Sequence, residues 1–480
     1  MTQKRYDAVI VGSGPNGLAA AITLARGGRS VLVLEGKETP GGGVRSLPLT
    51  LPGYRHDVCA AVFPLGMASP FFRGLPFQDY GLHWVHPGVP LAHPLDDGTA
   101  VLLERSVVHT ARTLGRDGQA YQALMLPWMA HWQALVSELL SSLRPPRRLD
   151  LLARFGLRGV LPASLLIRTH FRGERARALM AGLSAHAMLP LEQPGTAAFG
   201  ILLGLLGHAV GWPVAQGGSQ RIITAMLACL EEMGGEILTG RMVTALADLP
   251  PARAVLFDLT PHQLVRIQDV DFPGAYRRSL QNYRYGVGVF KMDFALDAPV
   301  PWKAAACSRA GTLHLGGTWE EIAQAEQAVW QGHLPRRPFV LLAQPSLFDP
   351  QRAPQGRHTL WAYCHTPAGS VADMSDLIEE QIERFAPGFR SRILARHTFN
   401  AREMEGYNPN YVGGDINAGV QDLGQHFARP ALRWDPYSTP DPRVYLCSSS
   451  TPPGGGVHGM CGYHAARSAL RRLETDGRGR

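Results

Sequence analysis

The chain has 480 residues, a length at which two domains are a more natural expectation than one. With 45% hydrophobic and 18% charged residues it has the composition of a globular protein, which excludes a fibrous or largely disordered chain. Its formal net charge is +8, carried mostly by arginine, and no basic stripe contains interleaved aromatic residues. We therefore expect no nucleic-acid partner.

The sequence carries no pattern for secretion or membrane insertion. Charged and polar residues 2–5 lead directly into the first predicted strand. The most apolar stretch, Ala197–Val210, is shorter than the roughly 18 residues that span a bilayer. The six cysteines are scattered without metal-like or paired spacing, so we expect reduced, mostly buried thiols and no bound metal. These features predict a cytoplasmic protein.

The first motif is a strand, a glycine turn and a helix. Residues 6–12 form a short apolar run typical of a buried parallel strand, and Leu18–Ala25 continues as a helix of small residues. Between them, Gly12, Gly14 and Gly17 have G-x-G-x-x-G spacing. Gly12 permits the tight turn, Gly14 lets a pyrophosphate approach the backbone, and Gly17 lets the helix pack on the strand. The free N–H groups of the helix N-terminus would face the phosphates.

A second strand, Ser30–Leu34, ends in an acid that indicates the type of dinucleotide. Glu35 can accept hydrogen bonds from both ribose hydroxyls and would repel a 2′-phosphate, as expected for FAD or NAD. The glycine-rich segment Gly41–Ser46 then brings flexible backbone and Arg45 towards the same pyrophosphate, which favours FAD. A simple glycine turn with an exposed arginine is the alternative.

Three further elements follow in the middle of the chain. Ala215–Gln220 opens a predicted helix over Arg221–Met233, and strands are predicted at Glu236–Thr239 and Arg253–Leu259. These elements predict either a return of the chain to the N-terminal sheet or a separate small domain.

The C-terminal segment repeats the strand, glycine and helix order. Val444–Cys447 reads as a strand, Gly454–Met460 as a glycine-rich turn, and Gly462–Leu473 as a final helix. The dipole of this helix could stabilise the negative charge of a reduced flavin ring. The alternative is a mobile loop.

Together these segments resemble the phytoene desaturase and retinol saturase group of flavoproteins, closest to its phytoene-dehydrogenase-related branch. The resemblance covers most of the chain and is carried by Asp7–Gly17 with Glu35, Gly41–Ser46, Gln216–Gln220, Trp361–Pro367, Gly413–Gly419 and Pro453–Gly459. It implies an α/β fold with a Rossmann-like FAD-binding domain (GR2-type) interleaved with an α+β substrate domain. We assign residues 1–80, 211–275 and 426–480 to the FAD-binding domain, and 81–210 and 276–425 to the substrate domain.

The resemblance also implies a set of cofactor contacts. The residues predicted to bind FAD are Gly12, Ser13, Gly14, Asn16 and Gly17 at the phosphates, Glu35 at the ribose, Gly42, Gly43, Arg45 and Ser46 near the pyrophosphate, Val243 at the adenine, and Gly455, Gly456, Val457, His458, Gly459 and Met460 at the isoalloxazine ring. Where relatives often have Gly-Gly-Arg, this chain inserts Val44 before the arginine.

The chemistry that the resemblance implies is desaturation, or the reverse saturation, of a C–C bond in a hydrophobic isoprenoid- or polyene-like substrate. A second dinucleotide motif is absent from the sequence, so oxygen or a quinone is the expected electron acceptor. Candidate catalytic residues are His458, His56 and His365, with His458 preferred because it lies within the glycine segment predicted to face the flavin. Structural roles for all three histidines are the alternative.

Three other functions remain open. An amine-oxidase-like flavin oxidase would share the dinucleotide layout and place an aromatic pair at the flavin. A redox-neutral double-bond isomerase would need reduced flavin, and a non-catalytic FAD-binding interaction protein would show no turnover.

The middle of the chain also offers two surface or cavity predictions. Leu124–Leu143 and Phe199–Leu206 carry apolar residues at helical spacing, suited to core packing or to lining a tunnel. Arg144–Arg177 alternates arginines with Leu, Ile and Phe, which predicts either peripheral contact with an anionic membrane or an arginine-rich solvated face.

Overall fold

The computed structural model describes residues 4–478, with side chains up to residue 475. The strands are β1 (Tyr6–Val11), β2 (Val31–Leu34), β3 (Ser46–Leu47), β4 (His56–Asp57), β5 (Trp84–Val85), β6 (Val89–Pro94), β7 (Ala100–Leu103), β8 (Val214–Ala215), β9 (Glu236–Leu238), β10 (Ala252–Phe257), β11 (Gly288–Leu296), β12 (Ala310–Leu315), β13 (Val340–Ala343), β14 (His358–Thr366), β15 (Ile393–Phe399) and β16 (Val444–Leu446).

The α-helices are α1 (Pro15–Arg26), α2 (Pro64–Ala68), α3 (Pro70–Arg73), α4 (Val107–Thr113), α5 (Gly118–Met129), α6 (Trp132–Leu139), α7 (Leu149–Gly159), α8 (Ala163–His170), α9 (Glu174–Ser184), α10 (Thr196–Ala209), α11 (Gln220–Glu232), α12 (Pro261–Leu264), α13 (Gly274–Gln281), α14 (Trp319–Trp330), α15 (Ser375–Phe385), α16 (Ala401–Tyr407), α17 (Leu423–Ala428) and α18 (Met460–Arg478). Short 3₁₀ turns lie at Gly115–Asp117, Ala185–Ala187, Leu246–Asp248, Ala305–Arg309, Pro345–Leu347, Pro350–Arg352, Arg390–Arg392 and Val412–Gly414.

The first sheet is parallel throughout, with the strand order β16-β10-β1-β2-β9. Because successive side chains of a strand point to opposite faces, Ala8 and Ile10 of β1 pack with α1, α11 and α18, whereas Val9 and Val11 pack with residues of α12 and α13. Burial on both faces explains the continuous apolar runs of these strands. Since β9 and β10 join this sheet, the chain does return to it after the long insertion.

The second sheet has seven strands in the order β15-β11-β14-β13-β12-β6-β7. Its neighbouring strands are antiparallel except for the parallel pair β12 and β6. One face packs against a helical layer that includes α5, α9 and α10, and the other face packs against α15. This layered arrangement places a helix-covered sheet next to the parallel sheet.

The α/β fold class with a Rossmann-like parallel sheet is confirmed. All strands of the first sheet lie within residues 1–80, 211–275 and 426–480. All strands of the second sheet lie within residues 81–210 and 276–425. The boundaries between the two domains stay a prediction. All six cysteines lie within the described residues and are free thiols, and only Cys59 is not fully buried. Between residues 4 and 478, no helix combines the length and the apolar character needed to cross a membrane.

Candidate functional site

A cavity of about 700 Å³ connects the two sheets. Its dinucleotide end is formed by loops at the carboxyl ends of the parallel strands, including Gly12–Asn16, Glu35, Gly42–Arg45, Val243 and Asp258. Its apolar end is formed by the second sheet and its helical layer, including Leu139, Phe155, Leu202, Leu203, Trp212, Leu341 and Tyr363. Ligands of open α/β sheets bind at the carboxyl ends of strands, and this cavity begins there.

The first glycine loop has the backbone geometry that its sequence predicts. Gly12 adopts φ +103°, a conformation that favours glycine. A Cβ at position 17 would lie 2.1 Å from the carbonyl oxygen of Gly12, so only glycine lets α1 pack this closely against the turn. A Cβ at position 14 would lie 2.6 Å from Asp258 Oδ2. The backbone at the N-terminus of α1 therefore carries no side chain of its own at Gly12 and Gly14, and the Asp258 carboxylate lies beside it.

The second glycine loop lies directly against the first. A Cβ on Gly42, which has φ +55°, would lie 3.0 Å from the Cα of Gly14. Arg45 is buried in this loop, where its guanidinium donates to the carbonyl of Thr39 and forms an ion pair of 3.2 Å with Glu35. Arg45 thus holds this loop and the Glu35 carboxylate together at the cavity wall.

Glu35 is held at the dinucleotide end by several donors. Its Oε2 accepts from the backbone N–H of Ser13 at 3.1 Å and from the Ser13 hydroxyl at 2.5 Å, and its Oε1 accepts from the N–H of Lys37 at 2.9 Å. The carboxylate is therefore oriented before any ligand binds. Ser46, in contrast, lies outside the cavity wall, where its hydroxyl donates to Asp57 at 2.6 Å.

Asp258, which the sequence reasoning missed, lies at the same loop. It follows β10 and accepts the backbone N–H of Gly17 at 3.0 Å. Burial, with a contribution from the negative charge of Glu35, raises the pKa of Asp258 to about 7. Its position just after the carboxyl end of a parallel strand is the signal that could have found it.

The C-terminal segment meets the N-terminal motif at this end of the cavity. The side-chain amide of Asn16 donates to the Ser449 hydroxyl at 3.1 Å, and Gly455–Val457 line the cavity. α18 packs closely on α1, because a Cβ on Gly462 would lie 1.8 Å from the carbonyl oxygen of Asn16. Two segments more than 400 residues apart therefore form one wall.

The last part of the predicted flavin segment lies behind this wall. His458, Gly459 and Met460 do not line the cavity. The ring of His458 is fully buried, its Nδ1 accepts the N–H of Met460 at 3.0 Å, and burial lowers its pKa to about 4. The structure thus gives His458 an internal partner in the turn that begins α18.

The chain is similar to several known proteins. Residues 10–75 match the family model described as the NAD(P)-binding Rossmann-like domain. The chain is 26% identical to a pyridine nucleotide-disulfide oxidoreductase domain-containing protein 2 of Rattus norvegicus, over 98% of this chain and 94% of that protein. It is 23% identical to a neurosporene-forming phytoene desaturase of Cereibacter sphaeroides, over 95% and 92%. The chain is thus similar to these oxidoreductases at low identity, and its match to the Rossmann-like domain model is confined to residues 10–75.

A solved structure extends the likeness to the whole fold. Putrescine oxidase bound to putrescine superposes with a TM-score of 0.63 at 18% identity, covering 99% of this chain and all of that one. At this identity the likeness concerns the fold alone.

The other two predicted histidines lie outside the cavity wall. His56 is buried beside Asp57, its Nε2 lies 2.7 Å from the Thr50 hydroxyl, and burial lowers its pKa to about 3. His365 pairs through Nδ1 with Glu326 at 2.8 Å in the second sheet. Their catalytic roles stay predictions, whereas the structure shows each with a structural partner.

Asp57 belongs to a buried ionic cluster that anchors the Ala215–Gln220 segment. Arg352, fully buried, pairs with Asp57 and Asp349 at 2.8 Å each. Asp57 also accepts the N–H of Ser219 at 2.8 Å, at the start of α11. Although burial opposes ionisation, the Arg352 charge and these hydrogen bonds keep the pKa of Asp57 below its usual value.

His186 is a cavity residue that the sequence did not indicate. It lies in the 3₁₀ turn after α9 and lines the apolar end. Its Nε2 is 3.0 Å from Nε2 of His314 on β12, and the Trp212 ring meets both imidazoles edge-on. Burial lowers the pKa of His186 to about 3 and that of His314 well below its usual value, so both rings are neutral near pH 7.

Proposed function

We propose that the chain is an FAD-dependent oxidoreductase that desaturates or saturates a C–C bond of a hydrophobic, isoprenoid- or polyene-like substrate. The observation that carries this proposal is the shared cavity, in which the glycine-lined dinucleotide end opens into a chamber of apolar side chains. The similarity to a phytoene desaturase over nearly the whole chain supports the reaction class.

The residues at the dinucleotide end fit FAD. The glycine loop Gly12–Gly14 and the N-terminus of α1 would hold the diphosphate, Glu35 the ribose, and the Val243 backbone the adenine. Gly455–Val457 would face the flavin ring. Asn16 adds a buried Oδ1 atom without a hydrogen-bond partner among the described residues. Bound FAD supplies a ring that accepts a hydride from a substrate carbon or returns one.

The apolar end would bind the substrate and exclude water. Leu202 and Leu203 of α10, Phe155 of α7 and Leu341 of β13 line it. His186 and His314, which lie at this end, are neutral near pH 7, so they can form hydrogen bonds but add no charge. A dry pocket protects reduced flavin and favours apolar substrates. We further propose oxygen or a quinone as the electron acceptor.

An anaerobic spectrum tests this function. Protein loaded with FAD is mixed with polyenes and isoprenoids in detergent micelles, and the visible flavin band is followed. Bleaching by one of these compounds supports desaturation, and reoxidation of photoreduced flavin supports saturation. A protein that holds FAD but responds to neither kind of substrate would be a binding protein, contrary to the proposal.

An amine oxidase is the second candidate, because an aromatic pair lies in the cavity. The Trp361 and Tyr363 rings are 5.1 Å apart at 76°, and both line the apolar end. Against this candidate, the carboxylates that line the cavity within the described residues, Glu35 and Asp258, lie at its dinucleotide end and not beside the aromatic pair. Peroxide formed in proportion to added putrescine would favour the amine oxidase.

We also propose peripheral contact with an anionic membrane through the surface of α7 and α8. Leu149 and Leu157 expose 67% and 76% of their surface, whereas Phe155 on the opposite side of α7 lines the cavity. Some arginines of this region already form ion pairs with carboxylates of the same chain, as the exposed Arg148 does with Asp150. The exposed leucines therefore support the proposal more than the count of charges does.

A further inference from the structure

We propose that the buried guanidinium of Arg429 stabilises negative charge on the flavin ring, through its own charge and through the side-chain amide of Gln421. This inference rests on the proposed function, since it needs FAD in the cavity with its ring against Gly455–Val457. It makes Arg429 a positioning residue of the redox reaction, and it favours the direction in which the flavin accepts a hydride from the substrate.

Arg429 is a fully buried arginine without a carboxylate partner. Arg352 and Arg429 are both 0% exposed. Arg352 pairs with Asp57 and Asp349, whereas the side chains described up to residue 475 place no carboxylate within 4 Å of the Arg429 guanidinium. Arginine stays protonated in proteins, and a buried charge is costly unless it is paired. Negative charge on a nearby ligand would therefore be stabilised.

The hydrogen-bond acceptors of Arg429 are uncharged oxygens. Nη1 donates to the carbonyl of Ser449 at 3.3 Å. Nη2 donates to the carbonyl of Val420 at 3.0 Å and to Oε1 of Gln421 at 3.2 Å. Nε has no partner among the described residues. These contacts hold the guanidinium in place and leave its charge without a counter-charge.

The guanidinium lies directly behind the glycine segment proposed to face the flavin ring. A Cβ on Gly454 would lie 2.7 Å from Nη1 of Arg429. Ser449, Gln421 and Gly455 line the cavity, whereas Arg429 does not. The charge is thus separated from the cavity by the residues that it contacts. Charges interact strongly over such short paths through a protein interior, because little water screens them.

Gln421 connects Arg429 to the cavity wall. Because a guanidinium only donates hydrogen bonds, Oε1 of Gln421 faces it and the amide nitrogen Nε2 points away. A Cβ on Gly455 would lie 3.0 Å from this Nε2, so the amide nitrogen lies beside the segment proposed to face the ring. One of its N–H groups donates to the carbonyl of Gly419 at 3.3 Å. The Arg429 charge polarises this amide and strengthens its N–H groups as donors.

The titratable groups near Arg429 are neutral or directed elsewhere. The Asp415 carboxylate accepts three backbone N–H groups at 2.7 to 2.8 Å, and burial raises its pKa. Burial, with a contribution from the Arg429 charge, lowers the pKa of His426 to about 4, so this ring is neutral near pH 7. Burial raises the pKa of Tyr283 and that of Cys461, so both keep their protons.

A positive charge at this place has a specific effect on a bound flavin. The ring becomes more negative when it receives a hydride, because the hydride brings an electron pair. A fixed positive charge in a site without water stabilises that negative charge without reorganisation. Reduced FAD is then bound more tightly than oxidised FAD, which raises the midpoint potential. An arginine that acted on the diphosphate would instead strengthen the binding of both forms equally and leave the potential unchanged.

The midpoint potential of bound FAD tests this inference. It is measured anaerobically by equilibration with reference dyes at pH 7.5, together with the affinity of the apoprotein for FAD. We expect Arg429→Gln to lower the equilibrium constant for two-electron reduction about tenfold, which makes the midpoint potential about 30 mV more negative. Arg429→Lys keeps a positive charge and should retain most of the parent potential.

Two further variants separate the effect of charge from effects on folding. Gln421→Glu leaves Arg429 in place and gives it a carboxylate partner, so it should also make the potential more negative. This variant decides the question if Arg429→Gln does not hold FAD. Arg443→Gln is the control, because it removes the same charge from a side chain that is 62% exposed. It should leave the potential unchanged, since solvent screens that charge.

A parent-like potential in Arg429→Gln or in Gln421→Glu would overturn the inference, whether or not FAD binds more weakly. Equal shifts in Arg429→Gln and Arg429→Lys would also overturn it. Failure of the proposed function looks different. The expected shifts of potential, with no response of the flavin to polyenes or isoprenoids, would contradict the C–C oxidoreductase and keep the role of Arg429. A protein that takes up no FAD would overturn both.

Discussion

At the dinucleotide end of the cavity the wall is largely backbone, whereas at the apolar end it consists of side chains. Gly14 and Gly42 approach each other so closely at the first end that side chains would fill the space. At the second end, His314, Leu341 and Tyr363 reach one surface only because three strands pair in a particular register. We therefore expect recognition of a dinucleotide to depend on the absence of side chains, and selection of a substrate to depend on the side chains that are present.

The largest expected effect comes from restoring a side chain at the dinucleotide end. Gly14→Val should weaken FAD binding about a thousandfold, or ~4 kcal/mol, because the new side chain would occupy the approach to the N-terminus of α1 beside Asp258. Fluorescence titration of apoprotein with FAD measures this loss. Gly406→Ala in α16, where a Cβ meets no atom within 4 Å, should bind FAD normally. Normal FAD affinity in Gly14→Val would show that FAD binding does not need a position without a side chain at Gly14.

The second prediction concerns the close packing of α18 on α1. Gly462→Ala would force α18 away from α1, since the new Cβ would lie 1.8 Å from the Asn16 carbonyl oxygen. We expect the free energy of unfolding to fall by about 3 kcal/mol, and FAD affinity to fall with it. Urea denaturation followed by circular dichroism gives the value. A change below about 0.5 kcal/mol would mean that the two helices do not pack as described.

A smaller effect concerns Asp258, the half-buried acid at the dinucleotide end. Asp258 has a pKa of about 7, so it becomes charged between pH 6 and pH 8, next to the loop that would bind the diphosphate. FAD affinity should therefore fall as pH rises through this range, and Asp258→Asn should bind FAD about tenfold more tightly at pH 8, with a flat pH profile. The exposed Asp269→Asn is the control. A sloping profile in Asp258→Asn would contradict this explanation.

The same residue predicts a change of stability with pH in the apoprotein. The pKa of Asp258 is raised from its ordinary value of 3.8, so the folded state binds more protons than the unfolded state between about pH 4 and pH 7. Its contribution to stability is present at low pH and is lost as pH rises through 7. Urea unfolding at pH 5 and pH 8 should show a smaller difference for Asp258→Asn than for the parent protein.

The smallest effect is expected at the surface that covers the apolar end. Leu157→Ser should reduce co-sedimentation with phosphatidylglycerol vesicles at low salt about threefold, because an exposed leucine would insert at the interface. Leu334 is also exposed but is far from α7 in the sequence, so Leu334→Ser should have no effect. Failure of the parent protein to bind these vesicles would remove the membrane proposal and leave the cavity unaffected.

The dinucleotide end could be predicted from the sequence because the motif that indicates it is local. Gly12, Gly14 and Glu35 follow a fixed strand, turn and helix order, which permits few backbone geometries. The glycine-rich C-terminal segment was also predicted to lie at this site. Its sequence pattern could not show that the cavity wall ends at Val457 and that the next side chain, His458, is buried inside the protein.

The apolar end could not be derived in the same way. Leu341 and Tyr363 line it side by side because β13 pairs with β14 in this register, and His186 reaches it from the turn after α9, where it contacts His314 of β12. His365, which the sequence did single out, is two residues beyond Tyr363 on the same strand face, but Glu326 of α14 pairs with it away from the cavity wall. Residue type and spacing do not encode such long-range pairing.

We infer that distant segments of this chain build a single site for FAD. The absorbance spectrum and FAD content of the purified protein test this inference, followed by titration of the apoprotein with FAD and NAD. We expect a yellow protein with one FAD per chain, released by Gly14→Val, and no comparable binding of NAD. A colourless protein that does not bind added FAD would contradict it.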